Sequence, residues 1–119
     1  MSSDDFSTII GEVSIESPAR EHLARVFSEA REKHKALTLP HLVELAQQAT
    51  PISVEKLVLA LTALVRHGLA QRVVQVESPA GGGIGNFKSI QEIPDEIYDE
   101  RQDKWISVEP ENVVVVYKF

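Results

Sequence analysis

Residues 37–70 read LTLPHLVELAQQATPISVEKLVLALTALVRHGLA. Apolar side chains recur along this stretch at helical spacing in two blocks, and Thr50-Pro51 interrupts the pattern between the blocks. The stretch therefore predicts two helices, over about residues 38–49 and 53–67, joined by a tight turn.

Polar and glycine residues mark the ends of these helices. Thr38 and Ser53 stand just before the two blocks, where a side-chain oxygen can accept a backbone N–H that has no partner within the helix. Gly68 follows the second block, and glycine readily adopts the positive φ that is common just past a helix end. We expect the two hydroxyl residues to be N-caps and the glycine to end the second helix.

A further helix is predicted upstream, over about residues 18–33. Ser17 precedes Pro18, and serine suits an N-cap while proline suits the first helical position. The apolar residues that follow at helical spacing are Leu23, Val26, Phe27 and Ala30. The sequence therefore predicts a core of three helices.

The helix over about 53–67 has a predicted inner and a predicted outer face. The side chains expected to be buried are Val54, Leu57, Val58, Leu61, Leu64 and Val65. The outer face then presents Glu55, Lys56, Leu59, Thr62, Ala63 and Arg66.

The pattern changes to β-rich segments after this helix. Residues 72–77 and 113–119 are predicted strands that pair antiparallel. Between them, residues 80–86 are rich in glycine and are interpreted as a flexible tip. A short hairpin is predicted further along, with residues 96–98 against 104–106.

This order of elements resembles that of the winged helix-turn-helix superfamily. The resemblance rests on Ala46 at the inner turn of the second helix, on Ser53 opening the third, and on a Leu-x-x-x-Gly-Leu exit that ends at Leu69. It implies an α+β winged-helix domain over residues 17–119: a three-helix core followed by an antiparallel β wing, residues 71–119, with a long acidic insertion. The third helix is the recognition helix of DNA-binding members, and other members are protein adaptors.

Residues 1–16 form a separate segment that mixes acidic, serine and apolar residues. We interpret it as a loose arm, either docked as a short strand or disordered. Its apolar residues Phe6, Ile9 and Ile10 leave three roles open: a dimer swap, a strand added to a partner, and local packing.

Composition restricts the class of protein. The chain has 119 residues, 43% of them hydrophobic, which is typical of one globular domain. It has no cysteine, which excludes disulfides, thiolate zinc sites and a cysteine nucleophile and fits a reducing compartment. An acidic N-terminus without Lys or Arg is not a signal peptide, and no 18-residue apolar run suits a membrane. We expect a cytoplasmic protein.

Charge and side-chain chemistry favour a protein partner over DNA. The net charge is −6, and residues 92–111 carry eight acidic against two basic side chains, which would repel a phosphate backbone. Leu59 and Ala63, on the predicted recognition face, supply no hydrogen bonds for base edges. Tyr98 and Trp105 stand among acidic residues, as interface anchors do, or else they hold the long wing onto the helices.

The leading hypothesis is therefore a non-catalytic interaction module, a protein-protein adaptor or accessory subunit that binds a protein partner or itself. Its predicted interface residues are Leu59, Ala63, Tyr98 and Trp105. The alternative is a DNA-binding transcriptional regulator, with nucleic acid as the partner. Its predicted contact residues are Lys56, Thr62 and Arg66, helped by Arg20 and Arg25 and by Lys33 and Lys35.

No motif indicates catalysis, a metal or a cofactor. The glycine-rich run at residues 81–85 leads toward more strand, whereas a phosphate-binding loop leads into a helix. The four histidines, His22, His34, His41 and His67, have none of the spacings that place two ligands on one helical face. We therefore predict no enzyme, no cofactor, no metal site and no small-molecule substrate.

Overall fold

The computed structural model describes residues 3–13 and 15–119, and this part of the chain is α+β, with four helices and two β-sheets. The described chain divides into two compact units. Unit 1 comprises Met1–Gln71 together with Tyr117–Phe119, and unit 2 comprises Arg72–Val116.

Unit 1 holds the helices and one short strand. In chain order the elements are α1 (Ser3–Ile10), α2 (Ser17–Glu32), β1 (Ala36–Thr38), α3 (Leu39–Gln47) and α4 (Val54–Arg66). Helices α2, α3 and α4 lie where the sequence predicts helices, and each end is within two residues of its expected position.

Helix ends follow the cap chemistry of the sequence with one exception. Thr38 Oγ1 accepts from His41 N at 3.3 Å and Ser53 Oγ accepts from Lys56 N at 3.1 Å, which confirms both N-caps. Gly68 has φ 76°, so the expected positive φ past α4 is also confirmed. The N-cap prediction for Ser17 is wrong, because that serine is already the first helical residue and makes no capping bond.

Helix α1 corrects the expectation of a loose or strand-like arm. Phe6 and Ile10 are fully buried and Ile9 nearly so, and the Phe6 and Phe27 ring centroids are 6.2 Å apart. These three apolar residues are spaced i, i+3 and i+4, the helical period, so the signal for a helix was present in the sequence. The arm packs locally on α2 and α4. Met1, Ser2 and Ser14 of the predicted arm lie outside the described residues.

The buried face of α4 is rotated relative to the prediction. Its buried residues are Leu57, Ala60, Leu61, Ala63 and Leu64. Val54 is 47% exposed, so its assignment to the inner face is wrong. Val58 and Val65 are half-buried, so they are less buried than predicted.

Packing of the N-terminal segment explains this rotation. Helix α1 and a 3-10 turn over Gly11–Val13 both contact α4. His67 Nε2 lies 3.4 Å from Glu12 Oε2, and His67 follows Ala63 by one helical turn on the same side of the helix. The side of α4 that faces the 3-10 turn is therefore the side of Ala63. The sequence did not predict that the N-terminal segment packs on this side of the helix.

Polar bonds and the chain end complete unit 1. His22 Nε2 donates to Leu45 O at 2.7 Å, and Arg31 Nη1 donates to Leu69 O at 3.0 Å. Phe119 N donates to Lys35 O at 3.1 Å, just before β1, and the Phe119 ring stacks on Phe27 at 5.5 Å. The largest fully buried side chains of the helices are Phe6, Ile10, Leu23, Phe27, Leu42, Leu57, Leu61 and Leu64.

Unit 2 is built from strands. These are β2 (Gln71–Glu77), β3 (Gly83–Phe87), β4 (Glu96–Asp99), β5 (Lys104–Ser107) and β6 (Val113–Lys118), of which the first residue of β2 and the last two residues of β6 belong to unit 1. Strands β6, β2 and β3 are neighbours in that order, and β4 and β5 form a separate antiparallel hairpin, as the sequence predicts. Buried apolar residues of this unit are Val73, Val74, Val76, Ile106 and Val116.

The glycine-rich segment is more regular than expected. Residues 83–87 form a strand that pairs antiparallel with β2, so the prediction of a flexible tip over 80–86 is wrong for its second half. Gly81 and Gly82 have positive φ and make the turn. Gly85 allows close packing, because a Cβ there would lie 2.8 Å from Ile97 Cδ1.

None of the helices in the described part of the chain has the length and apolar character that a membrane span requires.

Candidate functional site

The β4–β5 hairpin sorts its side chains onto two faces. Tyr98 lies directly opposite Trp105, and Ile97 lies opposite Ile106 in the next register position. Since neighbouring residues of a strand point to opposite faces, the isoleucines mark one face and the aromatic residues mark the other. Ile97 is half-buried and Ile106 is buried, so theirs is the inner face.

The outer face presents an exposed aromatic pair. Trp105 is 66% exposed and Tyr98 is 38% exposed. Their ring centroids are 5.7 Å apart and the ring planes are inclined by 61°, the edge-to-face arrangement that aromatic pairs prefer. The two rings contact each other while both stay open to solvent.

A hydrogen bond orients the tyrosine. The Tyr98 hydroxyl donates to a carboxylate oxygen of Asp103 in the turn of the hairpin. The accepting carboxylate raises the pKa of Tyr98 above its ordinary value, with burial as a smaller cause. The same hydrogen bond holds the ring beside Trp105.

A buried carboxylate supports the inner face of the same hairpin. Asp99 is fully buried and accepts from Ser78 Oγ at 2.5 Å, from Arg101 N at 3.0 Å and from Gln102 Nε2 at 2.9 Å. The Ser78 bond, more than the others, holds the pKa of Asp99 below its ordinary value, against the opposing effect of desolvation. This arrangement fixes the turn after β4.

This network was not predicted from the sequence, in which Asp99 is one of eight acidic residues between positions 92 and 111. The available signal was the position of an Asp between two predicted strands, where aspartate often binds its own backbone two residues on. Its long-range partner, Ser78, follows from tertiary structure alone.

Carboxylates surround the aromatic pair. Glu96 stands two residues before Tyr98, Glu100 two residues after it, and Asp103 two residues before Trp105, and all three are exposed. Among the described residues, the one basic side chain near them is Arg101, whose Nη1 donates to Gly81 O at 2.5 Å. The outer face of the hairpin is thus aromatic and acidic.

Helix α4 carries the other predicted interface residues. Leu59 is 53% exposed, as expected, among the exposed residues Glu55, Thr62 and Arg66. Ala63 is only 3% exposed, so its prediction as an interface residue is wrong, for the packing reason given above. Leu59 belongs to unit 1, whereas Tyr98 and Trp105 belong to unit 2.

The predicted DNA-contact residues differ in how accessible they are. Lys56, Thr62, Arg66 and Arg25 are exposed, and Lys33 pairs with Glu29 at 2.7 Å. The Thr62 hydroxyl donates to Val58 O at 2.8 Å within its own helix. Arg20 is half-buried, and its Nε is buried without a hydrogen-bond partner, so it is a poor residue for phosphate contact.

The surface of the described residues includes two large open grooves. One of about 570 Å³ lies between the start of α2 and the turn before α4, with Ile15, Pro18, Pro51 and Ile52 in its wall. The other, of about 550 Å³, lies beside β3 and β4 and is mostly polar, with Gln75, Tyr98, Glu100 and Arg101 in its wall. Within the described part of the chain, no three His, Asp or Glu side chains are grouped to hold a metal ion.

Comparisons with protein-family models, with curated proteins and with solved structures find no match for this chain. Its function is therefore argued from the surfaces described above.

Proposed function

We propose that this protein is a non-catalytic winged-helix interaction module, a protein-protein adaptor or accessory subunit. The observation that carries the proposal is the exposure of Trp105, 66%, beside Tyr98 on the outer face of the β4–β5 hairpin. Tryptophan and tyrosine are enriched among the residues that dominate binding energy at protein interfaces. Two adjacent exposed aromatic rings among polar residues therefore support a contact with another protein.

The winged-helix part of the proposal is supported by the order of the elements. Helix α2 is followed by the short strand β1, by the closely spaced helices α3 and α4, and then by strands β2 to β6. Strand β1 lies next to the chain end in unit 1, and β6 lies next to β2 in unit 2. A short strand between the first two helices and two central wing strands would fit this fold.

The surface of α4 also supports a protein partner. Leu59 is a large apolar residue in the middle of an exposed stripe on α4. The stripe is formed by Glu55, Leu59, Thr62 and Arg66. Leucine offers no hydrogen bond to a base edge. The Thr62 hydroxyl is already bonded to Val58 O. This stripe would serve as a second contact, to the partner or to another copy of the chain.

The proposal is tested by differential capture. The immobilised wild type is compared with Trp105→Ala and with Ile90→Ala, a control that removes a similarly exposed apolar side chain of the same unit, 61% exposed, outside the hairpin. Proteins bound by the wild type and by Ile90→Ala should be lost with Trp105→Ala. Light scattering on the three proteins measures self-association in parallel. Equal capture and equal molar mass for all three would overturn the proposal.

A DNA-binding regulator remains the second candidate, because Lys56 and Arg66 are exposed on α4. The two residues are ten positions apart, about 15 Å along a helix axis, which suits contacts to separate phosphates. Anisotropy of a labelled mixed-sequence duplex at about 50 and 200 mM salt tests it. Salt-sensitive binding that Lys56→Ala and Arg66→Ala abolish would support this candidate, and absence of binding at low salt would oppose it.

A further inference from the structure

We infer that the outer face of the β4–β5 hairpin binds a basic segment of a partner protein and seats a Lys or Arg side chain against Trp105 and Tyr98. The inference rests on the proposed function and goes beyond it by naming the chemistry of the partner. Two independent features carry it: the open aromatic rings and the sign of the charge around them.

The rings are suited to a cation. Aromatic faces attract ammonium and guanidinium groups within about 6 Å of the ring centroid, tryptophan most strongly. Trp105 is the more exposed ring of the pair, and Tyr98 stands against it at 5.7 Å, so a cation on the tryptophan also lies near the tyrosine. The bond from Tyr98 to Asp103 keeps the tyrosine ring from turning away.

Charge complementarity selects a basic occupant. Glu96, Glu100 and Asp103 flank the rings within two residues along the chain, and all are exposed. An arginine that stacks on Trp105 could direct its N–H groups toward these carboxylates, and guanidinium and carboxylate groups pair bidentately. An acidic segment would meet repulsion on the same face.

The basic side chains of the hairpin do not neutralise this face. Arg101 is bonded to Gly81 O, on the turn between β2 and β3. Lys104 lies opposite Asp99 in the register, which places it on the inner-face side of the strands, away from Tyr98 and Trp105. On the outer face, the three carboxylates of Glu96, Glu100 and Asp103 therefore outnumber the cation beside them, Arg101, which shares a groove wall with Tyr98 and Glu100.

Long-range attraction acts in the same direction. Residues 72–119 carry nine acidic and five basic side chains, and the whole chain has a net charge of −6. A field of this sign raises the association rate of a cationic segment and weakens as salt is added. Binding should therefore be salt-sensitive, although no nucleic acid takes part.

The experiment uses the single tryptophan of the chain as its reporter. The full-length protein is titrated at about 50 and 200 mM salt with an acetylated heptapeptide that alternates glycine and arginine. The same peptide with citrulline, which keeps the shape without the charge, and the same peptide with glutamate are the ligand controls. Saturable change in Trp105 emission with the arginine peptide alone, weaker at the higher salt, is expected.

A charge-matched pair of variants locates the site. Glu96→Gln with Glu100→Gln removes two charges from the hairpin face and should weaken binding roughly three- to tenfold. Glu44→Gln with Glu111→Gln removes two exposed charges outside the hairpin and should change the affinity less than about twofold. Trp105→Phe should also weaken binding, because phenylalanine attracts a cation less strongly than tryptophan. Since this variant has lost the fluorescent reporter, its affinity is measured by calorimetry.

The outcomes separate this inference from the proposed function. Absence of saturable binding by the arginine peptide at low salt, or equal weakening by the two double variants, would overturn the basic-partner inference. If proteins were still lost specifically from Trp105→Ala in the capture experiment, the proposed function would stand with a partner of other chemistry. If the peptide bound as expected but capture did not depend on Trp105, the proposed function would fail.

Discussion

Tyr98 and Trp105 face each other across the β4–β5 hairpin, with ring centroids 5.7 Å apart, and both remain open to solvent. Each ring covers part of the other, so the pair limits the apolar surface that the hairpin exposes. The isoleucines of the inner face anchor the hairpin, which leaves the aromatic residues free for a second role.

Trp105→Ala should have little effect on folding. The side chain is about two-thirds exposed and its described ring contact is with Tyr98, so the expected loss of unfolding free energy is about 1 kcal/mol or less. Urea unfolding measures it. A loss above about 2 kcal/mol would mean that the tryptophan holds the wing in place and would weaken the interface proposal.

Stability should depend on the ionised form of Asp99. Its pKa in the folded protein lies below the ordinary value of 3.8, so folding favours the carboxylate. The resulting stabilisation is present at neutral pH, and it is lost as the pH falls below about 4 toward the folded-state pKa. Thermal unfolding between pH 7 and pH 2 follows this loss.

Asp99→Asn should lower the melting temperature at pH 7 and flatten this acid dependence, because the amide loses the charge-assisted bond from Ser78. Asp95→Asn, at an exposed position of the same wing, is the control and should behave as the wild type. An acid profile of Asp99→Asn that parallels the wild type would contradict the assignment.

Two leucines of α4 should differ sharply when replaced by alanine. Leu61 is fully buried, and Leu61→Ala should cost about 2 to 5 kcal/mol through lost burial and the cavity that remains. Leu59 is more than half exposed, and Leu59→Ala should change stability by about 0.5 kcal/mol or less. Denaturant unfolding of both variants compares the same substitution on one helix, and equal losses would show that the described register of α4 is wrong.

Enlarging Ala63 should disturb the packing of α4. Because Ala63 is buried, Ala63→Leu should cost about 1 to 3 kcal/mol through overpacking. Thr62→Leu adds a similar side chain at the neighbouring exposed position and should be nearly neutral. Thermal unfolding of the two variants is compared. If Ala63→Leu left the melting temperature unchanged, Ala63 would not be buried as described.

Gly68 offers a test of backbone conformation without side-chain crowding. Its φ is 76° and no atom lies within 4 Å of the position that a Cβ would occupy. Gly68→Val should therefore destabilise through the backbone alone, by about 1 to 2 kcal/mol. Gly68→Asn should cost less, because asparagine tolerates the left-handed region. Equal stability of the valine and asparagine variants would show that the end of α4 does not require a positive φ at position 68.

Local features of this protein were predictable from the sequence. The caps at Thr38 and Ser53, the end of α4 near Gly68 and the existence of the β4–β5 hairpin all depend on residues close together in the chain. Capping, turn formation and strand alternation are set by such neighbours, so the pattern of residue types carries them.

The orientation of the helices needed the tertiary structure. Helix α4 has apolar residues around most of its circumference, and sequence periodicity favoured the side of Val54, Val58 and Val65. In the structure Ala60 and Ala63 are buried instead, and α1 and the following turn both contact α4. The same holds for Asp99, whose stabilising partner Ser78 is distant in sequence. Burial is decided by which elements meet, and hydrophobicity along one helix does not specify its neighbour.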